Sequence, residues 1–401
     1  MKTIEGIVIL AAIDWKFLKQ RPQHLAEGFA KRGLQVLFVE NTGVRSPRLS
    51  DFRRLWGRVQ NALTTRRFKE KGGCGHRIEV FSPLAVPLPY SSWAGAYNAR
   101  FVGRRIQTFL TRHRLGAEQV VLLSYMATPL ALSLADGFPW GTVIYDVVSD
   151  PKKVEPRLAQ TERRFLRRAD LTLFASASLR DAYGVLATKP VLFRDGYSLD
   201  LLAEPGEIAS EIRGLPCPRF LYLGGLNHKV WAECLTRLAD TYPESSVILV
   251  GPQDSSDTNL PARPNIFVFP PRKHYSELAG ILHACDAGLI PYRPDHYAGM
   301  MHPAKLNEYL VFGLPVVGVK TAELERIRDE FGANIFYLAE SPDGFAAVAR
   351  DAVVEDTPTL RQGRRAVAKH HAWDRRVGKL LNLIGGAGEA RPSQQAEVLP
   401  G

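Results

Sequence analysis

Cysteine is scarce in this chain. The four present, Cys74, Cys217, Cys234 and Cys285, are far apart and form no C-x-x-C pair. That spacing excludes a zinc ribbon and a redox dithiol, and a disulfide framework is implausible at this density. A reducing compartment is the simpler reading. Long apolar runs are missing as well. Residues 6–13 form the only such run near the start, and Asp14 ends it. It is short for the core of a signal peptide, and no later segment reaches the roughly eighteen apolar residues of a membrane span. The expectation is a cytoplasmic protein without a transmembrane helix.

Nucleotide signatures are also absent. No G-x-x-x-x-G-K-[ST] string occurs, and Ala11, Ala12 and Ile13 stand where a dinucleotide fingerprint would place glycines. There is no D-x-D triplet, so the usual carboxylate pair for a divalent metal and a nucleotide diphosphate is lacking. Neither a metal site nor a cofactor is implied. Helix-turn-helix and zinc-finger patterns do not occur, and the basic residues are not interleaved with aromatics as a stacking platform requires. No nucleic-acid partner is expected.

What the chain does contain is ordinary globular composition, 45% apolar and 23% charged, which argues against disorder over most of its length. At 401 residues it is long enough for two to three domains. A formal charge of +11 suits an anionic partner, whether a nucleotide phosphate or an acidic membrane surface.

Residues 4–12 read as a buried strand, followed by a polar loop, a helix over 22–32 stopped by Gly33, and a strand over 34–39. This is a βαβ unit with Pro22 in the first helical turn. Short apolar runs at 120–123, 142–145, 171–175 and 190–193 alternate with helical stretches, as in a parallel sheet covered on both faces. A linker is predicted over 203–218. Strands at 220–223, 247–250, 266–269, 287–290 and 315–319 then repeat the theme. The chain therefore divides as residues 1–205, an acceptor-side Rossmann-like domain; 206–365, a nucleotide-side one; 366–384, a crossover helix; and 385–401, a disordered tail rich in Gly, Pro, Gln and Glu.

The informative stretch is His302-Pro303-Ala304-Lys305-Leu306-Asn307-Glu308-Tyr309. Pro303 suits a first helical position, with His302 near the N-cap and Gly313 as the stop. Lys305, Glu308 and Tyr309 then share one helical face. A lysine at a helix start suits a diphosphate, and a carboxylate one turn later suits a vicinal diol such as ribose. The bland alternative is an exposed i,i+3 ion pair worth about 0.3 kcal/mol.

The run from Ile290-Pro291-Tyr292 through His302-Pro303-x-Lys305-x-x-Glu308-Tyr309-Leu310 to Gly313-Leu314-Pro315-Val316-Val317 resembles the donor half of GT-B glycosyltransferases. More narrowly, it is similar to bacterial exopolysaccharide and capsule enzymes of the family-4 or xanthan glucuronosyltransferase kind. Arg21-Pro22-x-His24, Val39-Glu40, Tyr145-Asp146, Tyr222-Leu223-Gly224-Gly225, Leu249-Val250-Gly251-Pro252 and Cys285-Asp286-Ala287-Gly288 follow in the same order, so the likeness covers roughly residues 4–380. It implies an α/β GT-B fold, two Rossmann-like domains facing across a cleft, with a C-terminal helix carrying Trp373 that crosses back to the first. It implies a hexosyl- or glycuronosyltransferase in surface polysaccharide synthesis, metal-independent, using a nucleotide-sugar donor. UDP is the expected carrier, with GDP as the alternative. The acceptor would be a glycan or a lipid-linked sugar. Lys305 would contact the diphosphate and Glu308 the ribose, with Gly224, Gly225, Lys229, Tyr292, His302 and Tyr309 around them. Many retaining relatives carry a second Glu where this chain has Met300. An epimerase of the same fold and a catalytically degenerate binding module are the alternatives.

An inverting transfer needs a base. Asp146, at the end of a predicted strand, ranks first, then His24, then Asp150; each also has a plain structural reading, as a cap or a packed helix residue. Trp15, Arg21 and Gln23 are candidates for the acceptor side. Between Arg45 and Arg77 there are ten Lys or Arg against Asp51 and Glu70, with Leu49, Phe52, Leu55, Trp56 and Val59 at helical spacing. A second run, 152–168, carries seven basic residues against Glu155 and Glu162. Both runs suit peripheral attachment to an anionic membrane, on the inner face of the plasma membrane, or else a solvated helix packed on the core.

Overall fold

A computed structural model describes residues 3–40, 66–69, 77–86, 88, 90–150, 157–203, 210–253, 260–332 and 335–385. The first sheet holds eight strands: β1 (Gly6–Leu10), β2 (Gln35–Val39), β3 (Arg66–Lys69), β4 (Arg77–Phe81), β5 (Val120–Ser124), β6 (Thr142–Val147), β7 (Leu171–Phe174) and β8 (Pro190–Leu192). Their order is β3-β4-β2-β1-β5-β6-β7-β8. β1, β2, β4, β5 and β6 run parallel, as do β7 and β8, while β3 is antiparallel to β4. The second sheet has β9 (Arg219–Leu223), β10 (Ser246–Val250), β11 (Ile266–Phe269), β12 (Ala287–Ile290), β13 (Val316–Val319) and β14 (Phe336–Ala339). It is parallel throughout, in the order β11-β10-β9-β12-β13-β14. The central strands are apolar end to end because helices cover both faces: every residue of β1, β5 and β10 is buried.

Two compact units form. One comprises Met1–Tyr145, Arg157–Leu171 and Val377–Gly401, the other Asp146–Pro156 and Thr172–Arg376. The helix Trp373–Leu383 starts among residues of the second unit and ends among residues of the first. Within the first unit it lies on the helix Arg21–Lys31 at Gly28, where a Cβ would sit 2.5 Å from a Val377 methyl. The 3.6-residue periodicity after residue 360 suggests one continuous helix, but two are present, Pro358–Lys369 and Trp373–Leu383. The break between them is held by backbone bonding. Tyr197 N donates to the His371 carbonyl at 3.1 Å, and Trp373 N to the Tyr197 carbonyl at 2.9 Å.

Of the basic stretch between Arg45 and Arg77, only residues 66–69 and Arg77 are described. Its described part is β3, with β4 beginning at Arg77. The apolar stripe Leu49 to Val59 lies outside the described residues, as do most of the predicted linker over 203–218, residues 152–156 of the second basic run, and the tail beyond 385. β4 alternates, with Glu79 buried among apolar neighbours. Arg105 (2.6 Å), Arg112 (2.7 Å) and His113 (3.1 Å), all on the long helix Ser92–His113, surround that carboxylate. Burial works to raise the Glu79 pKa, but these bonds outweigh it and hold it below the ordinary carboxylate value.

Candidate active site

In the second sheet β9 and β12 lie side by side, and their successors run outward in opposite directions. Open parallel sheets take ligands in the crevice at the carboxyl ends of such a pair. β9 leads straight into Gly224 and Gly225, and β12 into Pro291 and Tyr292. Gly224 has φ 137°, a conformation that favours glycine, and a Cβ there would lie 2.5 Å from the Lys305 ammonium. The Gly224 carbonyl in turn presses on Gly251, where a Cβ would overlap it. Bare backbone is what this crevice requires.

Tyr309 ties the two strands together from beneath. Its ring packs on Gly288 of β12, and its hydroxyl accepts from Leu223 N (2.9 Å) and donates to the Leu289 carbonyl (3.3 Å). It is fully buried, so it supports the crevice from below. The short helix Leu306–Val311 follows, with Lys305 at its N-cap. It opens three residues later than Pro303 suggests, because residues 301–303 have no regular structure and 304–305 form a turn. At six residues its dipole is slight. The positive charge here belongs to Lys305.

Lys305 Nζ donates to the Tyr292 hydroxyl at 2.7 Å and lies 4.8 and 5.2 Å from the ring centroids of Tyr222 and Tyr292. Burial opposes its charged form. The Tyr222 and Tyr292 side chains and the Glu308 carboxylate outweigh that, and its pKa stands above the ordinary lysine value. Tyr222 donates its hydroxyl to the Gly225 carbonyl at 3.0 Å, and burial pushes its own pKa up to about 12. Lys305 is therefore directed at the glycine turn and the tyrosines, and not into an exposed pair with Glu308.

Glu308 is half-buried one turn on. Burial pushes its carboxyl up to about 7; Lys305 pulls it down and Asp195 pushes it up further. Among the described residues no hydrogen bond or salt bridge reaches this carboxylate. Asn307 Nδ2 bonds the Asp195 carbonyl at 2.8 Å, holding Asp195 beside the helix. Lys229 is half-buried, and its carbonyl accepts from Arg293 N at 2.9 Å, in the strand-like bridge that joins Val230 to Tyr292. His302 is buried three residues before Lys305.

Gly224, Gly225, Tyr292, Lys305, Glu308 and Tyr309 thus converge. Sequence reasoning missed Tyr222, Asp195 and Asn307. Tyr222 stood in the quoted Tyr-Leu-Gly-Gly landmark, one strand period before the turn. Asp195-Gly196 reads as a linker because an Asp-Gly pair marks turns in general.

In the first unit the crevice equivalent lies between β1 and β5. A small cavity there is lined by Leu10, Ala11, Val39, Glu40, Ser124 and Met126, among others. Trp15 N donates to the Glu40 carboxylate at 2.8 Å, and Ser82 donates its hydroxyl to the same group. Gln23 is buried and serves the fold, accepting from Gln20 N at 3.1 Å in a capping box. Arg21 is buried beside it in the first turn of that helix. Burial, helped by Lys19 and Lys31, pushes His24 down to about 3, so its imidazole is neutral and weakly basic. Asp146 is fully buried in β6, and Asp150 accepts from the Tyr183 hydroxyl at 2.6 Å. Among the described residues no cluster of three or more His, Cys, Asp or Glu could hold a metal ion.

No protein-family model matches the chain. It is 24% identical over 174 residues to TuaH of Bacillus subtilis, which bears the name of a teichuronic acid biosynthesis glycosyltransferase. That match covers 41% of this chain and 42% of TuaH, so the chain spans under half of that relative's length. Among solved structures it superposes on sucrose-phosphate synthase from Thermosynechococcus elongatus with a TM-score of 0.67 at 14% identity, covering 94% of this chain and 98% of that one. On Anabaena HepE, in complex with UDP and glucose, the TM-score is 0.63 at 13% identity, over 96% and 100% of the two chains.

Proposed function

We propose that this chain, whose fold is the α/β architecture of GT-B glycosyltransferases with two Rossmann-like parts, is itself a glycosyltransferase. It would move a sugar from a nucleoside diphosphate to a hydroxyl of a glycan or lipid-linked acceptor, in surface polysaccharide synthesis. One observation carries the reading. A lysine ammonium pressed on a glycine turn and an unbonded carboxylate one helical turn away meet at the strand-order reversal of a parallel sheet. Lys305 would neutralise charge on the diphosphate as it leaves, without a metal ion, and the Gly224-Gly225 backbone lets the phosphates approach. Glu308, as a carboxylate, would accept from the two ribose hydroxyls. UDP is the favoured carrier, with the HepE complex as support.

In the transfer the acceptor oxygen bonds the anomeric carbon while the bond from that carbon to the diphosphate oxygen breaks. The hydroxyl proton goes to a base, and the nucleoside diphosphate departs with the electron pair. Asp146 is the favoured base, with Asp150 behind it. His24, which burial holds neutral and so able to accept a proton, is the remaining candidate. Trp15 and Arg21 would serve the acceptor side, with Gln23 as a support. The test is transfer of labelled sugar from UDP- and GDP-sugars to glycan and lipid-linked acceptors. Asp146→Asn should lower kcat by about 100-fold or more with KM little changed. Full activity in that variant would remove Asp146 from the chemistry, and no transfer from any donor would reject the reading.

A further inference from the structure

The large apolar side chains that the first unit leaves exposed are not scattered. Among the described residues they are Phe17, Leu84, Leu88, Trp93 and Tyr97, with Trp93 61% and Tyr97 54% exposed. Topology puts all five at one edge. Phe17 lies in the loop leaving β1, and Leu84 and Leu88 lie in the strap leaving β4, which runs parallel to β2 and β1. Trp93 and Tyr97 occupy the first turns of the helix Ser92–His113, which starts where that strap ends. Asn98 pins the strap to the helix through both polar groups of Val86, at 2.8 and 2.9 Å. This is the carboxyl edge of the sheet, where open α/β folds take their ligands.

Charge follows the same stripe. Trp93, Tyr97, Arg100 and Arg104 stand at i, i+4, i+7 and i+11 of the helix, so they share one face. Arg100 and Arg104 are exposed, and the helix carries no acidic residue. Its inward basic groups, Arg105, Arg112 and His113, are engaged by Glu79. Lys16 is exposed beside Phe17. Aromatic side chains with an apolar body and a polar edge, next to arginines whose stems can lie along a bilayer, make an interfacial surface. Asp14, in the loop beside Phe17, is an exposed acidic group at this edge, and the helix face itself carries only basic charge, which favours an anionic surface over a protein partner of mixed charge.

We infer that this edge docks on an anionic lipid surface, with Trp93 and Tyr97 in the headgroup layer and Arg100 and Arg104 on lipid phosphates. Taken with the transferase reading above, on which this clause rests, the acceptor is lipid-linked and meets the enzyme at the carboxyl edge of the first sheet. The test is flotation of the full chain with phosphatidylcholine vesicles, with and without phosphatidylglycerol. UDP titration of each variant serves as the check on folding and on the donor site. Binding should require phosphatidylglycerol. Arg100→Glu with Arg104→Glu should weaken it by about 30-fold or more, each lost arginine being worth about 1 kcal/mol. Trp93→Ser with Tyr97→Ser should weaken it on anionic vesicles too, with UDP binding unchanged in both pairs. Equal flotation with neutral and anionic vesicles, or wild-type flotation by both double variants, overturns the docking surface and leaves the donor site standing. Flotation as expected without nucleotide binding by the wild type would overturn the transferase reading alone.

Discussion

Glu308 is the carboxyl of the crevice whose protonation burial moves into the neutral pH range. Its pKa is raised from 4.5 to about 7, mostly by burial. The folded state therefore holds this proton more tightly than the unfolded chain does. The group's contribution to stability is intact below pH 4.5 and is lost as pH rises toward 7, by up to about 3 kcal/mol. Glu308→Gln removes that dependence. The melting temperature of the variant relative to wild type should rise steadily between pH 5 and pH 8, and a constant difference would place the carboxyl in ordinary solvent. Binding a ribose diol favours the carboxylate, so nucleotide binding near neutral pH should release a proton. Calorimetry in two buffers of different ionisation enthalpy measures it. The release should vanish in Glu308→Gln, together with about 10- to 100-fold of affinity. Identical enthalpies in both buffers for the wild type would separate Glu308 from the ligand.

Elements in the second unit are held by buried charge where sequence patterning promises only packing. Glu323, fully buried on the helix Ala322–Phe331, accepts from Ala177 N (3.2 Å), Ser178 N (3.1 Å) and the Ser178 hydroxyl (3.1 Å) at the start of the helix Ala177–Tyr183. Arg194 lies 3.6 Å from the same carboxylate and 2.7 Å from Glu330. Removing one member of a buried charge set strands the others. Glu323→Ala should cost about 3 kcal/mol in denaturant unfolding, and Glu323→Gln, which keeps the acceptor for the helix amides, clearly less. Equal losses would mean that the neutral acceptor contributes nothing and that the charge alone holds the contact. This network was illegible in the sequence because its members lie more than a hundred residues apart. The strands β1, β2 and β5 to β13 were legible, since continuous apolar runs between turn residues have few other readings. β4 was hidden by Arg77 and Glu79, and β14 by its position after the last motif. The long helix Ser92–His113 escaped because its polar face is arginine-rich rather than mixed.

At the scale of the whole chain, two parallel sheets, each with a strand-order reversal, follow from two series of short apolar strands separated by helices. The second half of the donor motif was legible because Lys305, Glu308 and Tyr309 lie within one helical turn or so. Their neighbours Tyr222 and Asp195 come from other elements, and only folding brings them in. Residues 172–203 carry β8 and most of β7 of the first sheet and group with the second unit. The crevice above β9 and β12 would hold a nucleoside diphosphate through Lys305. Calorimetric titration of the chain with UDP, in EDTA, measures this. Micromolar binding is expected, falling by about 100-fold in Lys305→Ala with the circular dichroism spectrum unchanged. Undiminished binding by that variant, or no binding of UDP or GDP by the wild type, would contradict it.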